Sequence, residues 1–248
     1  MTAMPSIDLN SDLGEGGLYD AEIMPLISSA NIACGGHAGD DSTMRETIHL
    51  ALHHGVAIGA HPGYEDREHM GRQPMNLSPK EIHELVCRQL TRFAQIAAEF
   101  GAKIHHVKAH GALYHQSDAD PLIAMAVVNA IQNVHPQAII YAAPNGCVMD
   151  AARSACLKFR AEGFIDRRYR RDGSLVPRDQ PDAVIDDPAA ACAQAREILL
   201  KRSVTCVDGF VIPMDIETLC VHGDSESALE MARTARMTIK SAGLQVCH

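Results

Sequence analysis

Five short stretches set His, Asp, Asn or Lys where an apolar run gives way to small residues. They are Asp8-Leu9-Asn10-Ser11-Asp12-Leu13-Gly14-Glu15-Gly16, Cys34-Gly35-Gly36-His37-Ala38-Gly39-Asp40, Gly59-Ala60-His61-Pro62-Gly63, Val107-Lys108-Ala109-His110-Gly111 and Cys220-Val221-His222-Gly223-Asp224. Imidazoles exchange protons near neutral pH, so His37, His61, His110 and His222 suit general acid–base work. With Asp12, such side chains can also bind a divalent metal that keeps an open water position; Asp12, His37 and His61 are the candidate ligands. Metal is the weaker of the two inferences, because no H-E-x-x-H motif is present. Lys108 can hold a substrate carboxylate or stabilise an oxyanion, and it can form a Schiff base only if desolvation lowers its pKa. The small neighbours let the backbone turn sharply and leave room for a ligand.

The chain has 14 histidines, so any one of them taken alone is more readily structural. His53, His54, His105 and His106 are expected to face solvent or cap helices. What marks a shared site is that the same residue types recur at matching points of different units. Those units are strands. Apolar runs at 6–10, 29–34, 55–60, 103–107, 138–141, 158–160 (a weak one) and 218–221 read as seven strands. Within a strand, alternation puts Asp8 and Asn10 on one face, and likewise Lys108 and His110. Inward-facing polar groups are expected mainly near a barrel mouth, where water or a ligand can meet them.

Helical patterns separate the strands. Ser78-Pro79-Lys80-Glu81 is a capping box with Pro at the first helical position, and Ile82, Leu85, Val86, Phe93, Ile96, Ala97 and Phe100 continue a stripe that Gly101 ends. Helices are also expected over 41–54, 121–133, 187–201 and 225–242. About seven βα units imply a parallel sheet, either an open doubly wound one or, favoured here, a seven-stranded parallel β/α barrel formed by one domain over residues 1–248. In both cases the ligand site lies at the carboxyl ends of the strands.

Composition narrows the function. A net charge of −9 argues against nucleic acid as the main partner. No apolar run approaches the ~20 residues of a membrane helix, and the N-terminus has no leader pattern, so a cytoplasmic protein is expected. The eight cysteines form no C-x-x-C pair and are expected to be reduced and mostly buried. No G-x-x-x-x-G-K-[ST] or G-x-S-x-G motif occurs, which removes a Walker-type ATP site and a nucleophile elbow.

The five stretches, together with Asp166-Arg167-Arg168-Tyr169 and the following Gly173, Leu175, Val176, Pro177 and Arg178, resemble the LamB/YcsF family in order along nearly the whole chain. The chain departs from the family pattern at Ala109 and His115, where Pro and Asn are usual, and most densely across residues 65–73. The resemblance implies a seven-stranded barrel of the glycoside hydrolase/deacetylase kind. It implies one component, the A subunit, of an ATP-dependent 5-oxoprolinase, a hydrolase of cyclic amides that converts 5-oxo-L-proline to L-glutamate. Subunits B and C would be its partners and would bind the ATP. On this basis Asp12, Lys108 and His110 are expected to be catalytic. Asp8, Asn10, Glu15, His37, His61, His222 and Asp224 would contact substrate, and Arg167 would clamp its carboxylate. A stand-alone metal-dependent amide or acetyl hydrolase and a non-catalytic binding subunit are the alternatives. Metal content and a homo-oligomer stay open.

Overall fold

Alternation in the first strand sets the plan of the molecule. In β1 (Ser6–Leu13), Leu9 and Leu13 are buried in the apolar layer beneath the helices, while Asp8, Asn10 and Asp12 face the opposite way, into a barrel. The computed structural model describes residues 5–248; residues 1–4, part of the stretch read for a leader, lie outside the described residues. Strands β2 (Ser29–Ala33), β3 (Ala57–His61), β4 (Ile104–Lys108), β5 (Ile139–Ala142) and β6 (Phe159–Phe164) follow in order, each parallel to the one before. A short antiparallel hairpin, β7 (Ser203–Thr205) with β8 (Val211–Pro213), stands apart and has no counterpart among the expected strands. Then β9 (Thr218–His222) pairs in parallel with both β6 and β1, which closes a seven-stranded barrel; β10 (Gln245–Val246) adds beside Ser6 and Ile7. All seven expected barrel strands are present.

Four of the eight α-helices among the described residues start where the sequence provides a side-chain cap. The eight are α1 (Asp20–Ile23), α2 (Asp41–His54), α3 (Pro79–Glu99), α4 (Gly111–Ala119), α5 (Pro121–Val134), α6 (Cys147–Ser154), α7 (Pro188–Lys201) and α8 (Ala228–Ser241). Ser78 and Glu81 close the capping box at α3, and Asp40, Asp120 and Asp187 cap α2, α5 and α7 through backbone N–H groups. Helices α1, α4 and α6 are not among those expected from the sequence, and none of the three has a side-chain cap; α8, which is expected, also lacks one.

The barrel interior is polar along its length and not only at the mouth. Near the lower end Asp8 accepts hydrogen bonds from Ser28 Oγ (2.6 Å), Ser29 Oγ (2.7 Å) and Thr218 Oγ1 (2.6 Å). Burying such groups is tolerable because each has a partner. His106, expected at the surface, is fully buried here instead. The alternation that aims Lys108 inward aims His106 inward as well. Its ring stacks on Tyr141 at 4.1 Å, and its Nε2 lies 2.6 Å from Asn31 Oδ1. Gly59 makes the space, since a Cβ there would run into the His106 imidazole. The thiols divide: all eight are free, but only Cys34, Cys206 and Cys220 are buried, while Cys156 and Cys247 are exposed.

One carboxyl group weakens the fold above neutral pH. Asp118, in the last turn of α4, presses against Gly146 at the start of α6, and its Oδ1 has no partner among the described residues. Burial pushes it up to about 7. The folded chain therefore keeps a proton that the unfolded chain releases, and stability declines as pH rises from about 4 to 7. Asp118→Asn is expected to remove that decline, a gain on the order of 2–4 kcal/mol at pH 8 and little at pH 4. Urea melts at the two pH values check this; equal gains at both would refute it.

Candidate active site

The floor of the barrel mouth is a charge network built on Lys108. Its Nζ is 3.0 Å from Asp12 Oδ1, 2.9 Å from Glu162 Oε1 and 3.1 Å from Cys220 Sγ. Asn31 Nδ2 donates to Asn10 Oδ1 and Asp12 Oδ1, both at 2.7 Å, and Asn10 Nδ2 donates to Glu162 Oε1 at 3.0 Å. Burial disfavours the ammonium, but the Asp12 and Glu162 carboxylates more than reverse this and hold Lys108 well above its ordinary value. It stays protonated, which removes the Schiff-base option. Burial alone would likewise raise Asp12, yet His61 and Lys108 hold it well below the usual carboxylate range. Asp12 is thus a fixed carboxylate, tied through Oδ1, with Oδ2 turned to the mouth.

Above this floor four side chains converge from β1, β2, β3 and β4 or the turns after them. Glu15 Oε1 is 3.0 Å from His37 Nε2, 3.0 Å from His110 Nδ1 and 3.7 Å from His61 Nε2. The four donor atoms lie within 4.8 Å of one another, a spacing that could hold a metal ion. His61 Nε2 is also 3.3 Å from Asp12 Oδ2, whose charge raises His61 in spite of its burial. His37 goes the other way, lowered to about 4 by burial and then by His110. Its Nδ1 has no hydrogen-bond partner among the described residues. The divergent 65–73 stretch packs on this cluster: Met70 carbonyl O meets His110 Nε2 at 2.8 Å, and a Cβ on Gly71 would come within 2.7 Å of His37 Cβ. Asp12, Cys220 and His222 form a second close group, but the Lys108 ammonium already pairs with two of its members, Asp12 and Cys220.

Beside the cluster opens a cleft of about 300 Å³ lined by Arg72, Asp166, Arg178, His222, Asp224 and Ser225 among others. That is the lower end of the size range for small-molecule sites. His222 forms its wall. Its Nδ1 lies 2.9 and 3.0 Å from the two Asp166 oxygens, and its backbone N–H donates to Asp166 Oδ2 at 2.8 Å. Burial would raise Asp166, but His222 outweighs it and holds the carboxyl at about 2. In the neutral form of the ring, Nδ1–H sits on the carboxylate and Nε2 is the bare nitrogen, 3.9 Å from Asp12 Oδ2. At the rim Arg72 and Arg178 both pair with Asp224, Arg178 at 3.2 Å.

The strand ends therefore bring Asp12, Glu15, His37, His61, Lys108, His110, His222 and Asp224 to one mouth. Asp8 and Asn10 share its inward face but lie lower, with their oxygens occupied by protein donors. Arg167 is buried, with Nε and Nη2 on the carbonyls of Ala183 and Val176. Five neighbours are not singled out by the sequence: Asn31, Arg72, Glu162, Asp166 and Arg178. Asp166 and Arg178 stand inside the quoted aspartate–arginine segment, and inward alternation is the available signal for Asn31 and Glu162, the other buried pair.

The model of the LamB/YcsF family matches residues 7–248. The chain belongs to the LamB/YcsF family. Among relatives of this LamB/YcsF protein, the A subunit of 5-oxoprolinase from Bordetella pertussis is 42% identical over 98% of both chains. That of Methylococcus capsulatus is 44% identical over 97% of this chain and 95% of its own. The crystal structure of the lactam utilization protein from Thermus thermophilus superposes with a TM-score of 0.90 at 38% identity, covering 98% of this chain and 99% of that one. A family 4 carbohydrate esterase from Streptomyces lividans shares the fold alone, with a TM-score of 0.55 at 8% identity. Among the described residues, no helix of this LamB/YcsF barrel is long and apolar enough to cross a membrane.

Proposed function

We propose that this chain is the A subunit of an ATP-dependent 5-oxoprolinase and that its barrel mouth opens the lactam ring to give L-glutamate. Full-length likeness to proteins named as 5-oxoprolinase A subunits supports the reaction class. The observation that carries the chemistry is His222, which lines the cleft, is backed by Asp166 and, in its neutral form, turns a bare Nε2 toward the fixed Asp12 carboxylate beside that cleft. A five-membered lactam bearing one carboxylate needs a cation, a base for water and a proton for the departing nitrogen. Arg72 and Arg178 supply the cation at the rim. His222 Nε2 takes a proton from water as its oxygen bonds to the ring carbonyl carbon, and returns it to nitrogen as the C–N bond breaks. Asp12 Oδ2 accepts the ring N–H and fixes the pose.

An unactivated amide resists this attack, and phosphorylation of its carbonyl oxygen would make it feasible. The chain has no Walker-type motif, so ATP falls to partner subunits B and C, and this mouth receives the lactam or its activated form. In this reading Lys108 is a positioning residue: it touches Asp12 and not the substrate. The test is reconstitution with the B and C subunits, 5-oxoproline and ATP, following glutamate. Glutamate is expected only when all three are present. Equal glutamate formation without this chain would end the proposal.

A further inference from the structure

Two imidazole lone pairs face each other in the barrel mouth. His61 Nδ1 lies 2.8 Å from the Lys108 carbonyl oxygen, and His110 Nε2 lies 2.8 Å from that of Met70. A carbonyl oxygen only accepts, so in each neutral ring the proton sits on that outer nitrogen. The inner nitrogens, His61 Nε2 and His110 Nδ1, are then both bare, and they are 2.9 Å apart. Glu15 Oε1 adds a third electron-rich atom 3.0 Å from His110 Nδ1, and His37 Nε2 meets the same oxygen at 3.0 Å. Charge points the same way: the Lys108 ammonium pairs with Asp12 and Glu162, while Glu15 meets three imidazoles and no Lys or Arg among the described residues.

We propose that Glu15, His37, His61 and His110 bind one divalent transition-metal ion, with zinc the species that this ligand set suits best. Bonds of about 2.0–2.2 Å place four tetrahedral donors roughly 3.3–3.6 Å apart. Four of the six separations run from 2.9 to 3.7 Å, and all six are within 4.8 Å. Metal-bound histidines usually donate their other N–H to a carbonyl or carboxylate, which fixes the tautomer; the carbonyls of Lys108 and Met70 do this for His61 and His110. The His37 and His110 rings stack in parallel, centroids 3.6 Å apart; an imidazole lone pair lies in its ring plane, so one of the two rings turns out of the stack to share the ion, whereas charging both by protonation would set two cations face to face. A single proton can bridge one pair of these atoms and leaves the rest uncompensated; a metal ion answers all four.

This set differs from Asp12, His37 and His61, the ligands expected from sequence. Asp12 falls outside the group of donor atoms that all lie within 4.8 Å of one another, and its Oδ1 is committed to Asn31 and Lys108, so it stands beside the four and is not one of them. The inference goes beyond the lactam reading and does not depend on it. When bound, the ion would supply a Lewis acid next to Asp12 and the cleft.

The full chain, produced with zinc in the medium and dialysed in metal-free buffer, is expected to carry one zinc per chain by elemental analysis. Cobalt exchanged for zinc is expected to give the visible bands of a tetrahedral site. In titration calorimetry, Glu15→Gln and His61→Ala are expected to weaken zinc binding by more than the roughly 10–100-fold typical of losing an outer partner. His53→Ala and His54→Ala, at exposed positions, are expected to leave the stoichiometry at one. Zinc-free protein that gives no heat with added zinc would overturn the proposal, as would binding unchanged in Glu15→Gln and His61→Ala. The titration of the unaltered chain decides the matter even if a variant fails to fold.

Discussion

Replacing Lys108 with methionine is expected to destabilise the fold by about 3–5 kcal/mol, because it leaves Asp12 and Glu162 as buried carboxylates without their cation. For a chain of this length that corresponds to a fall of roughly 6–20 °C in Tm. Methionine keeps most of the volume, so lost packing contributes little. The pH dependence of the wild type follows from the same network. Asp12 is lowered in the fold, so its contribution is present above its unfolded value and is lost as pH falls through the folded one. Lys108 is raised, so its contribution is present below the ordinary lysine value and is lost only as pH rises through the folded one. Between them lies a broad neutral window in which neither varies. Glu162→Gln added to Lys108→Met is expected to recover part of the loss, since one uncompensated charge is removed. Thermal melts of the two variants check the argument. A Tm within about 2 °C of wild type for Lys108→Met, less than 1 kcal/mol, would show that the network does not stabilise the barrel.

That network also marks how far the sequence could be read. The strands, most helices and the strand-end histidines were legible because hydrophobic period, capping residues and Gly or Pro punctuation are local properties. Period two put Lys108 inside; His110, beyond the end of β4, reaches the mouth as the residue before α4. The same period would have placed His106 inside too, but a charged-looking His105-His106 pair reads as surface when its partners, Asn31 and Tyr141, come from other strands. Glu162 was hidden for a similar reason. Arg160-Ala161-Glu162-Gly163 has neither the hydrophobicity nor the β-branched residues of a strand, and β6 exists because β5 and β9 flank it. Arg72 and Arg178 meet Asp224 across 152 and 46 residues of chain, so nothing short-range announces the cleft rim. Interior polarity was underestimated because its cost depends on partners, and partners are set by barrel closure.

The largest effect on activity is expected at Asp166. In Asp166→Asn the side-chain amide can present N–H to His222 Nδ1, which favours the tautomer with its proton on Nε2. The lone pair that faces the cleft and Asp12 is then lost while the ring stays in place against Phe164. Glutamate formation by the reconstituted complex is expected to fall by roughly 10²–10⁴, the range seen when a positioned base is removed or held in the wrong tautomer. His222→Asn is expected to fall as far, and the double variant no further, because the two residues act as one unit. A structural role alone would not produce that non-additivity, nor a loss of the limb of the pH–rate profile that reports the base. Binding of the partner subunits should be retained in all three, which separates a chemical defect from failed assembly. Asp166→Asn with more than about a tenth of wild-type activity, a barrier change under 1.4 kcal/mol, would mean that proton transfer at this mouth runs through another group, with Asp12 the next to examine.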